Sequence, residues 1–171
     1  MLEPRYVDSN EDPERKAPLI AAGFVPKRLA AGDVQFPEAG GATVLVENKR
    51  LYQFLTDMGT GQLVKQCRRM CEESEFPWLA LEGPFLVDME TERFLDHKYA
   101  LSQFWGQLAT LQDMGVRWYR TESARSTVRR ILDLAYYYAK GYHQSTHRGG
   151  SGHAGIDTLC RVRGVGPALA K

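Results

Sequence analysis

Apolar and polar positions along the chain follow two periods, and they predict strands alternating with helices. RYVD (5–8) reads as a short buried strand. Asp12 and Pro13 suit a helix start, and that helix is expected to run to Gly23. The stretch from Phe24 to Phe36 is strand-like, with Gly32 as an irregularity, and PEAGG (37–41) is a turn. TVLVENK (43–49), rich in β-branched residues, predicts a central strand. Two helices are expected at 51–58 and 61–74, then a strand at WLALEG (78–83). Phe104, Trp105, Leu108 and Leu111 recur at helical spacing within 98–114. VRWY (116–119) is a short strand, and a long helix follows from Ser123 to Tyr142, with Thr121 or Ser123 as its cap. This alternation predicts an α/β layered fold around a mixed sheet.

Composition narrows the class. An apolar fraction of 43% and a charged fraction of 25% are those of an ordinary globular protein, and 171 residues can bury one sizeable core with a small appendage. No apolar run is long enough to cross a membrane, and MLEPRYVDSNEDPERK lacks the apolar centre of a secretory signal. Three cysteines fit no disulfide framework, so a reducing intracellular setting, not secretion, is expected. The net charge of +1 conceals an asymmetry: residues 1–110 carry a balance of −5 and residues 111–171 a balance of +6. The basic part suits phosphates and the acidic part suits cations, although scattered charge gives the same balance.

The chemistry-bearing residues sit where the central strand ends. Glu47 and Lys49 are two apart on a strand, so they point to one side. Asp33 lies on the preceding strand, and a hairpin can bring it beside Glu47. Two carboxylates and a backbone carbonyl suit Mg²⁺, a hard cation that keeps several waters. Lys49 then adds a positive charge beside an attacking water or a phosphate. An Asp, Glu-x-Lys pattern alone is a weak signal, and a salt-bridged strand end is its ordinary meaning. Here an apolar VLV run leads straight into ENK, and charged strand ends in α/β proteins mark the ligand edge.

The run GDV, VLVENKR, LVKQCRRM and WLALEG resembles the XPF-type nuclease domain, including the archaeal Hef helicase-nucleases. The resemblance covers about residues 5–143. It implies a restriction-endonuclease-like PD-(D/E)xK fold with a mixed central sheet flanked by helices. Asp8 and Glu11 match the family's opening Asp-x-x-Glu, Gly32 and Asp33 its GD, Glu47 and Lys49 its ERK, and Glu82 its later strand end. Three positions depart: Asn10 and Asn48 stand where the family has arginine, and Gln53 where it has aspartate.

The C-terminal LCRVRGVGPALAK (159–171) resembles the first part of a helix-hairpin-helix, with Gly164, Val165 and Gly166 as its hairpin and Pro167 opening the second helix. Glycines there let backbone N–H groups approach a DNA phosphate. The expected organisation is a nuclease domain at 1–143, a linker at 144–154 and a truncated helix-hairpin-helix at 155–171.

Other features have blander meanings. Cys67 and Cys71 suit core packing better than zinc, and Arg68, Arg69, Arg125, Arg129 and Arg130 suit either a DNA path or a solvated helix face. Taken together, the expectation is a metal-dependent, structure-specific DNA endonuclease acting on branched DNA, such as 3′ flaps or forks, in repair, recombination or replication. Its cofactor is Mg²⁺, with Mn²⁺ as a substitute. Asp33 and Glu47 hold the metal, Lys49 orients water, and Asp8 and Glu11 complete the catalytic set. Glu82 and Gln53 support it, and Arg68, Arg69 and Asn48 join the hairpin in contacting DNA. The resemblance implies pairing as a homodimer or with a related subunit, and a place at the nucleoid or nucleus. Two alternatives stay open: a non-catalytic DNA-binding or partner subunit of the same fold, and a nuclease on single-stranded DNA or RNA.

Overall fold

The computed structural model of the chain describes residues 4–140. Its elements are β1 (Tyr6–Asp8), α1 (Pro13–Ala21), β2 (Val25–Lys27), β3 (Val34–Pro37), β4 (Thr43–Arg50), α2 (Leu51–Thr60), α3 (Gln62–Glu73), β5 (Phe76–Glu82), β6 (Val87–Asp88), β7 (Arg93–Phe94), α4 (Leu101–Asp113), β8 (Arg117–Thr121) and α5 (Ala124–Tyr138). Six strands form one mixed sheet in the order β2-β1-β3-β4-β5-β8. β3 runs antiparallel to β1 and β4, while β4, β5 and β8 are parallel, so their carboxyl ends share one edge.

Both sheet faces are covered, which explains the nearly unbroken apolar runs of the central strands. On one face Val44, Val46 and Ala80 pack with Leu19 of α1 and Val128, Ile131 and Ala135 of α5. On the other, Leu79 and Leu81 pack with Phe54, Leu63, Phe104 and Leu108 of α2, α3 and α4. Alternation along β4 therefore sends Asn48 towards the α1–α5 side, and Glu47 and Lys49 towards the α2–α3 side. Local signals set the helix starts. The Asp12 carboxylate accepts from the Glu14 amide ahead of Pro13, and Ser123 caps α5 by accepting from Ser126.

The structure corrects one expectation. Residues 24–36 are two strands, not one: β2 pairs parallel with β1 at the sheet edge, and β3 begins only at Val34. The connection between them is tied down by polar groups that the apolar pattern does not register. The two-stranded β6–β7 hairpin was also absent from the pattern, being only two residues per strand. Of the expected apolar row on α4, Phe104, Leu108 and Leu111 are core, whereas Trp105 stays 46% exposed. The end of the expected last helix, the linker and the helix-hairpin-helix, with Gly164, Val165 and Gly166, lie outside the described residues.

Candidate active site

The register of β3 against β4 pairs Val34 with Val46, which sets Asp33 next to Glu47. Gly32 makes that approach possible. Its φ is +71°, and a Cβ there would lie 3.2 Å from the Val46 carbonyl oxygen. The Asp33 amide donates to that same Val46 oxygen at 2.8 Å, and the Asp33 carboxylate accepts from the Asn48 amide at 2.7 Å. Asp33 is thus held by backbone groups at both ends.

Two acids in so close a place resist ionising together. Burial pushes the Asp33 carboxyl well above the usual carboxylate range, and the charges of Glu47 and Glu11 push it further. The Asn48 amide and Arg15 oppose this only partly. Glu47 is raised too, by burial first, against the pull of Lys49. The pair is an electrostatic deficit that a cation would relieve.

Lys49 is 2% exposed, and its ammonium is fixed by two short contacts, to Asp57 Oδ2 of α2 and Gln66 Oε1 of α3, both at 2.6 Å. Glu47 Oε1 lies 3.6 Å away. Asp57 and Gln66 were not anticipated. An acid within α2 resembles any solvated helix residue in one dimension, and only the fold shows it beneath the lysine. Gln53, one turn earlier on α2, is exposed. Cys67 is buried under the same site, and burial followed by the charge of Glu47 pushes its thiol up to about 12, which makes it an inert packing group.

The other sheet face carries a second polar cluster. Glu11 accepts from Arg15 Nε at 3.0 Å and from Asn48 Nδ2 at 2.5 Å. Arg15 Nη1 reaches both oxygens of Glu82, at 3.0 and 3.1 Å, and Glu82 accepts from Thr127 Oγ1 at 2.8 Å. Arg15, missed in the sequence because it looks like a surface helix residue, is the cation between two buried acids. Asp8 is also committed: its oxygens accept from the Asn10 and Leu29 amides, both at 2.7 Å, and its own amide donates to the Asp33 carbonyl. Asp8 therefore pins the β2–β3 connection, at Leu29 and at Asp33, to β1. Arg68 and Arg69 are exposed on α3.

Divalent-cation chemistry fits this donor set. Among the described residues no three His, Cys, Asp or Glu side chains converge as a ready-made ligand group. Asp33 and Glu47 offer two hard oxygen donors whose crowding Arg15 and Lys49 offset only in part, which suits an ion that retains waters, such as Mg²⁺. Among the described residues no helix is long and apolar enough to cross a membrane.

No protein-family model and no curated protein sequence matches the chain. Among solved structures the chain is similar to XPF from Aeropyrum pernix in complex with DNA, with a TM-score of 0.65 and 25% identity, over 98% of this chain and 78% of that one. It is similar to XPF from Aeropyrum pernix in a second structure with a TM-score of 0.64, at the same identity and coverage. The chain has an XPF-nuclease-like fold, which over the described residues is a mixed six-stranded sheet flanked by five helices.

Proposed function

We propose that the chain is a metal-dependent endonuclease that hydrolyses phosphodiesters in branched DNA, such as a 3′ flap or fork, during repair, recombination or replication. The observation that carries this reading is the half-buried Asp33–Glu47 pair with Lys49 fixed beside it, at the strand edge of an XPF-nuclease-like fold. Asp33 and Glu47 are the groups that would hold Mg²⁺ or Mn²⁺. The bound ion supplies charge neutralisation at the scissile phosphate. Lys49 has three N–H donors, and two are spent on Asp57 and Gln66. The third faces Glu47 Oε1 at 3.6 Å, where it would orient a water or a phosphoryl oxygen, and the two anchors hold it there before substrate arrives. Asp8, Glu11, Arg15, Glu82 and Asn48 act behind this centre by fixing the strands that carry it. Exposed Arg68 and Arg69 are available to phosphates, and the C-terminal hairpin would add contacts that position DNA without reading its sequence.

Pairing of two chains belongs to the same reading. The exposed Trp105 of α4 is the natural centre for such an interface, because large aromatics anchor interfaces. Sedimentation equilibrium is expected to give twice the chain mass, and half that value after Trp105→Ala; a single-chain mass for the unmodified protein rules the homodimer out.

The nuclease test uses end-labelled 3′-flap DNA, with single-stranded, duplex, fork and RNA controls. Cutting that needs Mg²⁺ or Mn²⁺, prefers the branch, and disappears in Asp33→Asn and in EDTA is the expected result. Retained flap binding without cutting at any protein concentration makes the chain a non-catalytic subunit instead.

A further inference from the structure

Tyr52 stands in the first turn of α2, three residues beyond Lys49, yet it is 65% exposed. Two further rings line up beside it from the segment after β7. His97 meets Tyr52 edge to face with centroids 5.8 Å apart, and Tyr99 stacks on His97 at 4.9 Å with the planes 14° apart. The row is seated by a glycine: a Cβ on Gly59 of α2 would collide with the Tyr99 hydroxyl. The imidazole is held by ring contacts, since its Nδ1 has no hydrogen-bond partner. Lys98 Nζ lies 5.5 Å from the Tyr99 ring centroid. The row is built from the half-buried Tyr99 and His97 outward to the exposed Tyr52.

The row divides two grooves. One, of about 300 Å³, has an apolar floor of Leu51, Leu55 and Phe94, with Asp96 and Glu122 on its walls and Arg50 at the end of β4. The other, of about 460 Å³, is lined by Thr56, Thr60 and Lys98. An apolar floor between carboxylates repels phosphate but accepts a neutral base, whose exocyclic amines can donate to acids. Every base has a π-face, so exposed aromatic rings bind single strands with little sequence preference.

We propose that the exposed Tyr52 ring, braced edge to face by His97, is a stacking platform for unpaired bases of a single DNA strand entering the 300 Å³ groove. The phosphates run past Arg50 and Lys98. The choice of DNA as ligand rests on the nuclease reading, and the platform would hold the unpaired arm of a branched substrate while the carboxylate centre faces the scissile bond.

The test compares two fluorescently labelled strands of equal length, one of mixed cytosine and thymine, the other abasic. Both are titrated with the full chain in EDTA, so no cutting is required. The unmodified protein is expected to prefer the base-bearing strand by about 5- to 100-fold. Tyr52→Ala and His97→Ala are expected to lose most of that preference, with melting temperatures showing that both remain folded, while Tyr52→Phe keeps it. Equal affinity of the unmodified protein for both strands overturns the proposal, as does a preference that survives both alanine variants. Loss of self-association in Tyr52→Ala, without any base preference in the unmodified protein, assigns the row to an interface between copies and also overturns it. Base-dependent binding by a protein that cuts no DNA leaves the platform standing and removes the nuclease reading alone.

Discussion

Asp33 and Glu47 illustrate how bringing two acids together costs stability. An acid that ionises less readily in the fold than in the unfolded chain contributes stability while protonated and loses it as pH rises through the folded value. Both acids are raised, so their charged forms weaken the metal-free fold at neutral pH. Asp33→Asn keeps an oxygen to accept from the Asn48 amide and removes a charge. It is therefore expected to abolish cutting yet raise the metal-free melting temperature at about pH 8, by an amount that shrinks as the pH is lowered towards about 5 and protons relieve the pair. Calorimetric melting across that range checks the sign, and a lower melting temperature than the parent at the higher pH contradicts it. Lys49 yields a second prediction. Asp57→Asn removes one of its two short contacts, and misplacing a catalytic group by about 1 Å costs on the order of 100-fold in rate. Single-turnover cutting is expected to fall by that order, with flap affinity unchanged and Lys49 more reactive to amine-labelling reagents. Unchanged labelling removes the positioning role. Glu47 and Lys49 could be found in the sequence because a two-residue spacing on one strand dictates a shared direction. Asp57 and Gln66 could not, because their meaning depends on how α2 and α3 fold back over β4.

At the scale of elements, α1 does more than cover the sheet. It delivers Arg15 to Glu11 and Glu82, joining the segment after β1 to the end of β5, while Asn48 ties in β4 and Thr127 ties in α5. Removing one partner of a buried ionic group leaves the others uncompensated, typically at about 3–5 kcal/mol. Arg15→Met is expected to lose stability of that order in urea unfolding, and adding Glu82→Gln should recover part of it; a loss under about 1 kcal/mol means the cluster is not a structural node. The principal strands and all five helices were legible because their apolar periods are long, and Asp12, Pro13 and Ser123 marked two helix starts. The stretch 24–36 was not. Its break depends on Leu29 donating to Asp8, a side chain 21 residues away in sequence, and no local period records that contact. The β6–β7 pair was too short to show alternation at all.

For the molecule as a whole, the sheet order explains why the chemistry collects in one place. β3 reverses beside β4, and β4, β5 and β8 run parallel, so the acids of the β3–β4 pair lie beside the edge formed by the parallel strand ends. The fold could be anticipated from motif residues that amount to a small fraction of the chain, because GD, ENK and LEG each occupy a strand junction. The departures at Asn48 and Gln53 were harder to weigh from sequence. In the fold, Asn48 bonds Glu11 on the face away from Lys49, Arg15 stands between the buried acids, and Asp57 holds the lysine. Asp33 and Glu47 are proposed as the divalent-cation centre of this edge. Manganese paramagnetic resonance tests it most directly, by titrating Mn²⁺ into the protein bound to an uncleavable flap DNA and following the loss of the free-ion signal. Saturable uptake by the unmodified chain, lost in both Asp33→Asn and Glu47→Gln, is the expected result. Equal uptake by all three proteins contradicts it and places the ion elsewhere.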